Sequence, residues 1–237
     1  ARTLQQSLLP PNLPSIDGVA LAATYRPAGE GLDVGGDFYD VFPTGRNAWG
    51  FVMGDVCGKG AEAASLTALA RYTVRTAALT ARKPSRILGT LNEAVLREEG
   101  DERYCTVTYT RLRMVADGAE IIVSSGGHPL PIVLRAEGEA MEVGRWGTAI
   151  GLFADTTLSD TTTALHAGDT LLLYTDGVVE ARRGSELFGT ERLRQTLEEI
   201  GPIGADALVR RVEQTVIDFS EGDLRDDLAL LAVQVTR

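Results

Sequence analysis

Apolar and polar positions alternate along several short stretches of the chain, and the period shifts where strands give way to helices. Residues 19–25, 37–42 and 49–53 read as strands. Turn signals at Pro27-Ala28-Gly29 and Thr44-Gly45-Arg46-Asn47 separate them. Over residues 61–81 apolar positions recur at helical spacing in a run rich in Ala, Leu and Arg. Lys83-Pro84-Ser85 breaks that run, and Pro84 suits the first position of a second helix reading through residue 99. Strand texture returns at 104–114, 120–124 and 131–134, and Thr170-Leu171-Leu172-Leu173-Tyr174 reads as a buried strand. Helices are expected near 190–200 and 205–219, and an apolar strand over 227–235 closes the chain. Strands, a helix pair, strands, a second helix pair and a last strand predict an α+β layered fold, not a parallel βαβ sheet.

The N-terminal residues 4–9 read as the end of a helix, which Pro10, Pro11 and Pro14 stop. With Ala1 rather than Met at the start, residues 1–14 are expected to be the end of a linker helix from a missing upstream domain. Residues 15–237 are then the working domain. A chain of 237 residues is one large domain or at most two small ones. It buries roughly 70% or more of its unfolded surface and needs no disulfide staples. Cys57 and Cys105 make no disulfide framework, which fits a reducing cytoplasm. A net charge of -10 argues against a nucleic-acid or anionic-membrane surface. No apolar run approaches the roughly 18 residues of a membrane span.

Four aspartate-bearing segments carry the candidate chemistry. They are Gly35-Gly36-Asp37-Phe38-Tyr39-Asp40, Met53-Gly54-Asp55-Val56-Cys57-Gly58-Lys59-Gly60, Tyr174-Thr175-Asp176-Gly177 and Arg225-Asp226-Asp227-Leu228. Each acid lies inside or at the end of an apolar strand. A carboxylate there is costly unless paired or bound to a cation. Converging carboxylates repel one another, and a hard divalent cation is the natural remedy. Oxygen-only donors select Mg²⁺, Mn²⁺ or Ca²⁺ over zinc or copper. Taken singly, each aspartate also fits a turn or a helix cap.

Other single residues have competing readings. Cys105 and Arg111 make a Cys-x5-Arg pattern, but residues 106–110 contain no glycine and alternate as a strand, so no phosphate-cradling loop forms. Cys57 reads as a small buried residue beside the acids. Gly58-Lys59-Gly60 lacks the nucleotide P-loop spacing. Lys59 and, more weakly, Arg26 are candidate contacts for a substrate phosphate. His128 in Gly-Gly-His-Pro reads as holding its loop, and His166 as a surface turn residue.

The acidic segments, the Gly126-Gly127-His128-Pro129 loop and their order along residues 4–235 resemble the type 2C metal-dependent serine/threonine protein phosphatases. The closer resemblance is to the bacterial branch that includes the stage II sporulation protein E and stress-response phosphatases. It implies two stacked antiparallel β-sheets flanked by pairs of α-helices. It also implies two Mn²⁺ or Mg²⁺ ions bridged by a water. Matched motif by motif, Asp37 would sit beside the ions, Asp55 would bridge them and the Val56 carbonyl would bind one. Asp176 and Asp226 would hold the other ion, with Asp227 the alternative to Asp226. Many eukaryotic relatives carry a histidine just after the bridging aspartate; Val56-Cys57-Gly58 has none, which leaves the identity of the proton donor open, with solvent as a candidate. The resemblance further implies a phosphorylated anti-anti-sigma factor as substrate. The missing upstream part is expected to be a sensor or receiver domain in cis, joined through the N-terminal helix, and such a linker helix is also a candidate homodimer contact. The rival reading is a catalytically silent, phosphatase-like binding domain. A metal-free glycosidase-type acid pair is disfavoured by the scarcity of Glu in these segments.

Overall fold

A computed structural model of the chain describes residues 9–28, 35–98 and 103–237. Two five-stranded antiparallel sheets face each other. In one, β1 (Val19–Arg26) pairs with β12 (Leu228–Val235), followed by β9 (Thr170–Tyr174), β6 (Ile132–Leu134) and β7 (Ala140–Glu142). In the other, β2 (Phe38–Gly45), β3 (Ala48–Val56), β4 (Cys105–Val115), β5 (Gly118–Gly126) and β8 (Thr161–Leu165) follow in order. Helices α1 (Ala61–Ala77) and α2 (Pro84–Val95) cover the outer face of the second sheet. Between β9 and β12 run α3 (Asp176–Val179), the small hairpin β10 (Arg182–Arg183) and β11 (Glu186–Leu187), and then α4 (Gly189–Ile200) and α5 (Ala205–Phe219). The last two cover the outer face of the first sheet.

Strand alternation explains the layering. Along β12, Ala229, Leu231 and Val233 join the core between the sheets, while Leu228, Leu230 and Ala232 pack under α4 and α5. Along β3, Phe51 and Met53 point inward, and Val52 and Val56 point out to α1 and α2. Both faces of these strands are buried, so they read as apolar runs rather than clean alternation. Full burial of each large side chain contributes about 1.5–3 kcal/mol.

The α+β expectation and most element positions hold, with Pro84 as the first residue of α2. The differences have local causes. The first helix ends at Ala77, not 81, because its last turn tightens: Leu79 and Thr80 donate to the Thr76 and Ala77 carbonyls. The strand β8 is Thr161-Thr162-Thr163-Ala164-Leu165, which pairs with β5 through its backbone while carrying little apolar signal. Asp176 opens a one-turn helix instead of a plain turn. Of the expected N-terminal helix, residues 4–8 lie outside the described residues, as does residue 99.

A buried ion cluster ties α1 to β2. Asp40, fully buried, accepts from Arg75 at 2.7 and 2.8 Å, from Arg71 at 3.0 and 3.3 Å, and from the Val41 N–H at 2.9 Å.

Candidate metal centre

The inward-facing positions turn from apolar to acidic at one end of the sandwich. On β3 the inward series Phe51, Met53 continues to Asp55; on β2 the series Val41, Tyr39 extends back to Asp37. From the opposite sheet, the series Leu231, Ala229 extends back to Asp227, and Leu171, Leu173 runs on to Thr175, with Asp176 beginning α3. Alternation within two sheets thus delivers acids from four separate segments to one cleft.

Asp37, Asp55 and Asp176 each place a carboxylate oxygen within 4.8 Å of the others. Asp37 is buried; Asp55 and Asp176 are half-buried. Burial, then the charge of Asp55, holds the Asp37 carboxyl well above its usual range, against the Thr175 hydroxyl that favours ionisation. Burial pushes Asp55 up to about 7, with the charges of Asp176, Asp226 and Asp227 adding to it. Burial and then Asp226 raise Asp176 to about 6. Asp37 Oδ2 and Asp176 Oδ1 are buried without a hydrogen-bond partner among the described residues. Orphaned, mutually repelling oxygens of this kind fit a hard divalent cation, which would satisfy both and cancel the repulsion.

The two adjacent acids before β12 differ. Asp227 is spent on the protein: its Oδ2 accepts from the Tyr25 hydroxyl at 2.5 Å and its Oδ1 from the Ala28 N–H at 2.8 Å. Among the described residues Asp226 accepts only from the Asp227 N–H, at 2.9 Å, and its charge acts on both Asp55 and Asp176. The Gly35-Gly36 pair lets these parts close up. A Cβ on Gly35 would lie 1.5 Å from Asp227 Oδ2, and one on Gly36 would lie 2.2 Å from the Val56 carbonyl oxygen and 2.4 Å from Asp55 Oδ1. The Val56 N–H in turn donates to the Gly36 carbonyl at 3.2 Å.

The remaining candidates separate. Lys59 is exposed on the loop between β3 and α1. Arg26 pairs with Glu213 at 3.0 Å. Cys57 is only half-buried, more open than its sequence neighbourhood predicts, because the chain leaves β3 at Val56. Cys105 is fully buried in β4 and its thiol is pushed up to about 12, which rules out a thiolate nucleophile. His166 lies on an exposed turn, and His128 is 1% exposed. Sequence reasoning missed Tyr25 and Thr175. Both stand at inward positions of strand series that end in the cleft, which is the signal that locates them.

Comparison with protein families matches residues 45–236 to the family described as Stage II sporulation protein E (SpoIIE). Protein IcfG of Synechocystis sp. is 26% identical over 260 residues, a match covering 98% of this chain and 40% of that protein. Phosphoserine phosphatase RsbU of Bacillus subtilis is 24% identical over 235 residues, covering 99% of this chain and 68% of RsbU. Among solved structures, the phosphatase domain of SpoIIE from Bacillus subtilis superposes with a TM-score of 0.73 at 19% identity, covering 92% of each chain. It shares the fold of two antiparallel sheets between helix pairs. The family match extends over most of the 237 residues, including the segments of Asp55, Asp176 and Asp226; the chain belongs to the stage II sporulation protein E (SpoIIE) family.

Proposed function

We propose that the chain is a metal-dependent phosphoprotein phosphatase that hydrolyses phosphoserine or phosphothreonine. The observation that carries this reading is the convergence of Asp37, Asp55 and Asp176, with buried oxygens of Asp37 and Asp176 that have no partner among the described residues. Asp55, Asp37 and the Val56 carbonyl would be among the groups that hold two Mn²⁺ or Mg²⁺ ions. Asp176 and Asp226 would complete the set. We assign Asp226 rather than Asp227 because Tyr25 and Ala28 already occupy both oxygens of Asp227. Asp227 then positions: it ties β1 to the start of β12 and keeps the cleft narrow.

Two divalent cations in such a site lower the pKa of a shared water and stabilise charge on attacking and leaving oxygens. The chain's own residues do the rest. Asp37 is held in a water-poor wall by burial, which strengthens every charge contact it makes. Lys59, exposed at the rim, is the candidate to take a substrate phosphate oxygen; Arg26 must first leave Glu213. Protonation of the leaving seryl oxygen falls to solvent, since burial drives His128 down to about 3 and His166 lies on an exposed turn.

The substrate we propose is a phosphorylated anti-anti-sigma factor in a partner-switching pathway, the setting of stress-response phosphatases. We further propose that residues 1–14 link an upstream sensor domain in cis and carry a homodimer contact. No helix among the described residues is long and apolar enough to cross a membrane, and we place the protein in the cytoplasm. The test is phosphate release from a serine-phosphorylated anti-anti-sigma protein with Mn²⁺ titrated in. Release that Asp55→Asn and a chelator abolish supports the reading. A folded chain that binds Mn²⁺ and its phosphoprotein yet releases nothing, with or without the upstream region, would make it a silent binding domain.

A further inference from the structure

Next to Asp55 the sandwich interior carries hydroxyls rather than hydrocarbon. On β4, Cys105, Val107 and Tyr109 face α1 and α2, and Leu112 and Met114 lie in the core between the sheets. Alternation therefore sends Thr106, Thr108 and Thr110 inward. Thr106 stands directly across from Asp55 in the β3–β4 register. Directly opposed side chains leave a sheet on the same face, with Cβ atoms about 4.5–5.5 Å apart. Thr106 also keeps partial exposure at this end of the strand, whereas Thr108 and Thr110 are sealed in.

A threonine hydroxyl turns about its C–O bond and points where its best partner lies. The partner here is His128, whose Nδ1 sits 2.8 Å from Thr106 Oγ1. The backbone of the His128 turn is held independently of the ring. Ser125 Oγ donates to the His128 carbonyl at 2.6 Å, and Thr108 Oγ1 donates to the Pro129 carbonyl at 3.2 Å. The turn therefore does not need the imidazole to keep its shape. The ring is 1% exposed, and burial holds it neutral, with a pKa of about 3, so it orients the hydroxyl without adding charge to the cleft.

We propose that Thr106 and His128 are a positioning pair for the acid cluster. His128 fixes the rotation of the Thr106 hydroxyl: with the ring proton on Nε2 toward the Tyr174 carbonyl, the hydroxyl donates to Nδ1, and its oxygen accepts from a water that donates to Asp55 and holds it in the orientation that cation binding requires. The inference rests on the phosphatase reading and adds two residues to it. Groups that orient ligands in this way typically change metal affinity by about 10–100-fold when removed.

The test uses the full chain stripped of metal, with Mn²⁺ alone as the probe, followed by calorimetry at pH 7.5 and by p-nitrophenyl phosphate turnover. Thr106→Val keeps the shape and deletes the hydroxyl. It should raise the Mn²⁺ dissociation constant by about 10-fold or more, with a melting temperature within a few degrees of the parent, while Thr106→Ser restores binding to within about threefold. His128→Ala should weaken Mn²⁺ binding in the parent chain and add nothing in the Thr106→Val background, because His128 acts through that hydroxyl. Should His128→Ala fail to fold, the comparison of Thr106→Val with Thr106→Ser decides alone. Equal Mn²⁺ affinity for Thr106→Val and the parent overturns the pair, as does an undiminished effect of His128→Ala without the hydroxyl. Asp55→Asn separates the two levels. If it abolishes Mn²⁺ binding while Thr106→Val leaves it intact, the pair falls and the phosphatase reading stands. If Asp55→Asn itself binds normally, the metal centre falls first.

Discussion

Removing one acid from the cleft should stabilise the metal-free protein, and Asp55→Asn is the change that shows it. Burial and the charges of Asp176, Asp226 and Asp227 raise Asp55 from 3.8 to about 7. Asp176 moves the same way, to about 6. A carboxyl with a raised folded-state pKa keeps its proton in the native state after the unfolded chain has lost it. The folded state then binds more protons, so stability falls as pH rises. The full stability is present below about pH 4 and the loss is complete by about pH 7, the window between the ordinary and raised values. At 1.36 kcal/mol per pH unit, the gap at Asp55 corresponds to about 4 kcal/mol. Asp55 is partly open to water, so relaxation and screening reduce this to about 2–4 kcal/mol. The assay is urea unfolding in excess chelator at pH 5 and pH 8. The parent chain should lose stability between the two, and Asp55→Asn should lose about 1–3 kcal/mol less, since roughly two of the three pH units of the window lie above pH 5, overtaking the parent at pH 8. An Asp55→Asn variant no more stable than the parent at pH 8 would refute the claim that unpartnered acids strain this cleft.

Cation binding should act in the opposite direction: Mn²⁺ at 100 times its dissociation constant stabilises the native state by about 2.7 kcal/mol. Thermal melts with and without chelator should then differ by about 5–10 °C at pH 7.5, and by far less at pH 5. Gly36→Ala should weaken Mn²⁺ binding by about 10-fold or more, because its Cβ would meet the Val56 carbonyl oxygen at 2.2 Å and push Asp55 aside; calorimetry reads this. Asp40→Ala should destabilise by about 3–5 kcal/mol in urea unfolding, because it leaves the Arg71 and Arg75 guanidiniums without their shared carboxylate. Cys105 should resist thiol alkylation in the folded chain at pH 8, where Cys57 reacts; mass spectrometry of the modified sites distinguishes them.

The layered fold was legible because burial on both strand faces writes long apolar runs such as Leu228-Ala229-Leu230-Leu231-Ala232, and because Pro84 and Lys83 mark a helix start. Strand β8 was not legible. Its three threonines pair through the backbone against β5, and periodicity records side chains rather than ladder bonds. The acids were legible as a class, since an aspartate closing an apolar strand conflicts with its neighbours. Their division of labour was not. Whether Asp226 or Asp227 is open to a ligand depends on the Tyr25 hydroxyl and the Ala28 N–H, some 200 residues away in the chain. Thr106 was hidden for a similar reason: its importance lies in its register against Asp55, and the strand sequence alone does not fix register.

Strand β2 and the residue just before it hold two buried aspartates three positions apart, treated in opposite ways. Asp40 has every lone pair served by Arg71, Arg75 and the Val41 N–H, and carries a cation cluster that belongs to the protein itself. Asp37 is equally buried, faces three further acids, and keeps an oxygen with no partner among the described residues. The chain has 21 arginines among its 23 basic residues, and α1 places two of them on Asp40. The fold therefore has the means to neutralise a buried acid, and at Asp37 it does not use them. An arginine in the cleft would stabilise the metal-free domain by the same route as Asp55→Asn and would close the site to any cation. The instability forecast for the metal-free chain above pH 7 and the capacity to bind a divalent ion are thus one property of one set of oxygens, and a variant relieved of the first should lose the second in proportion.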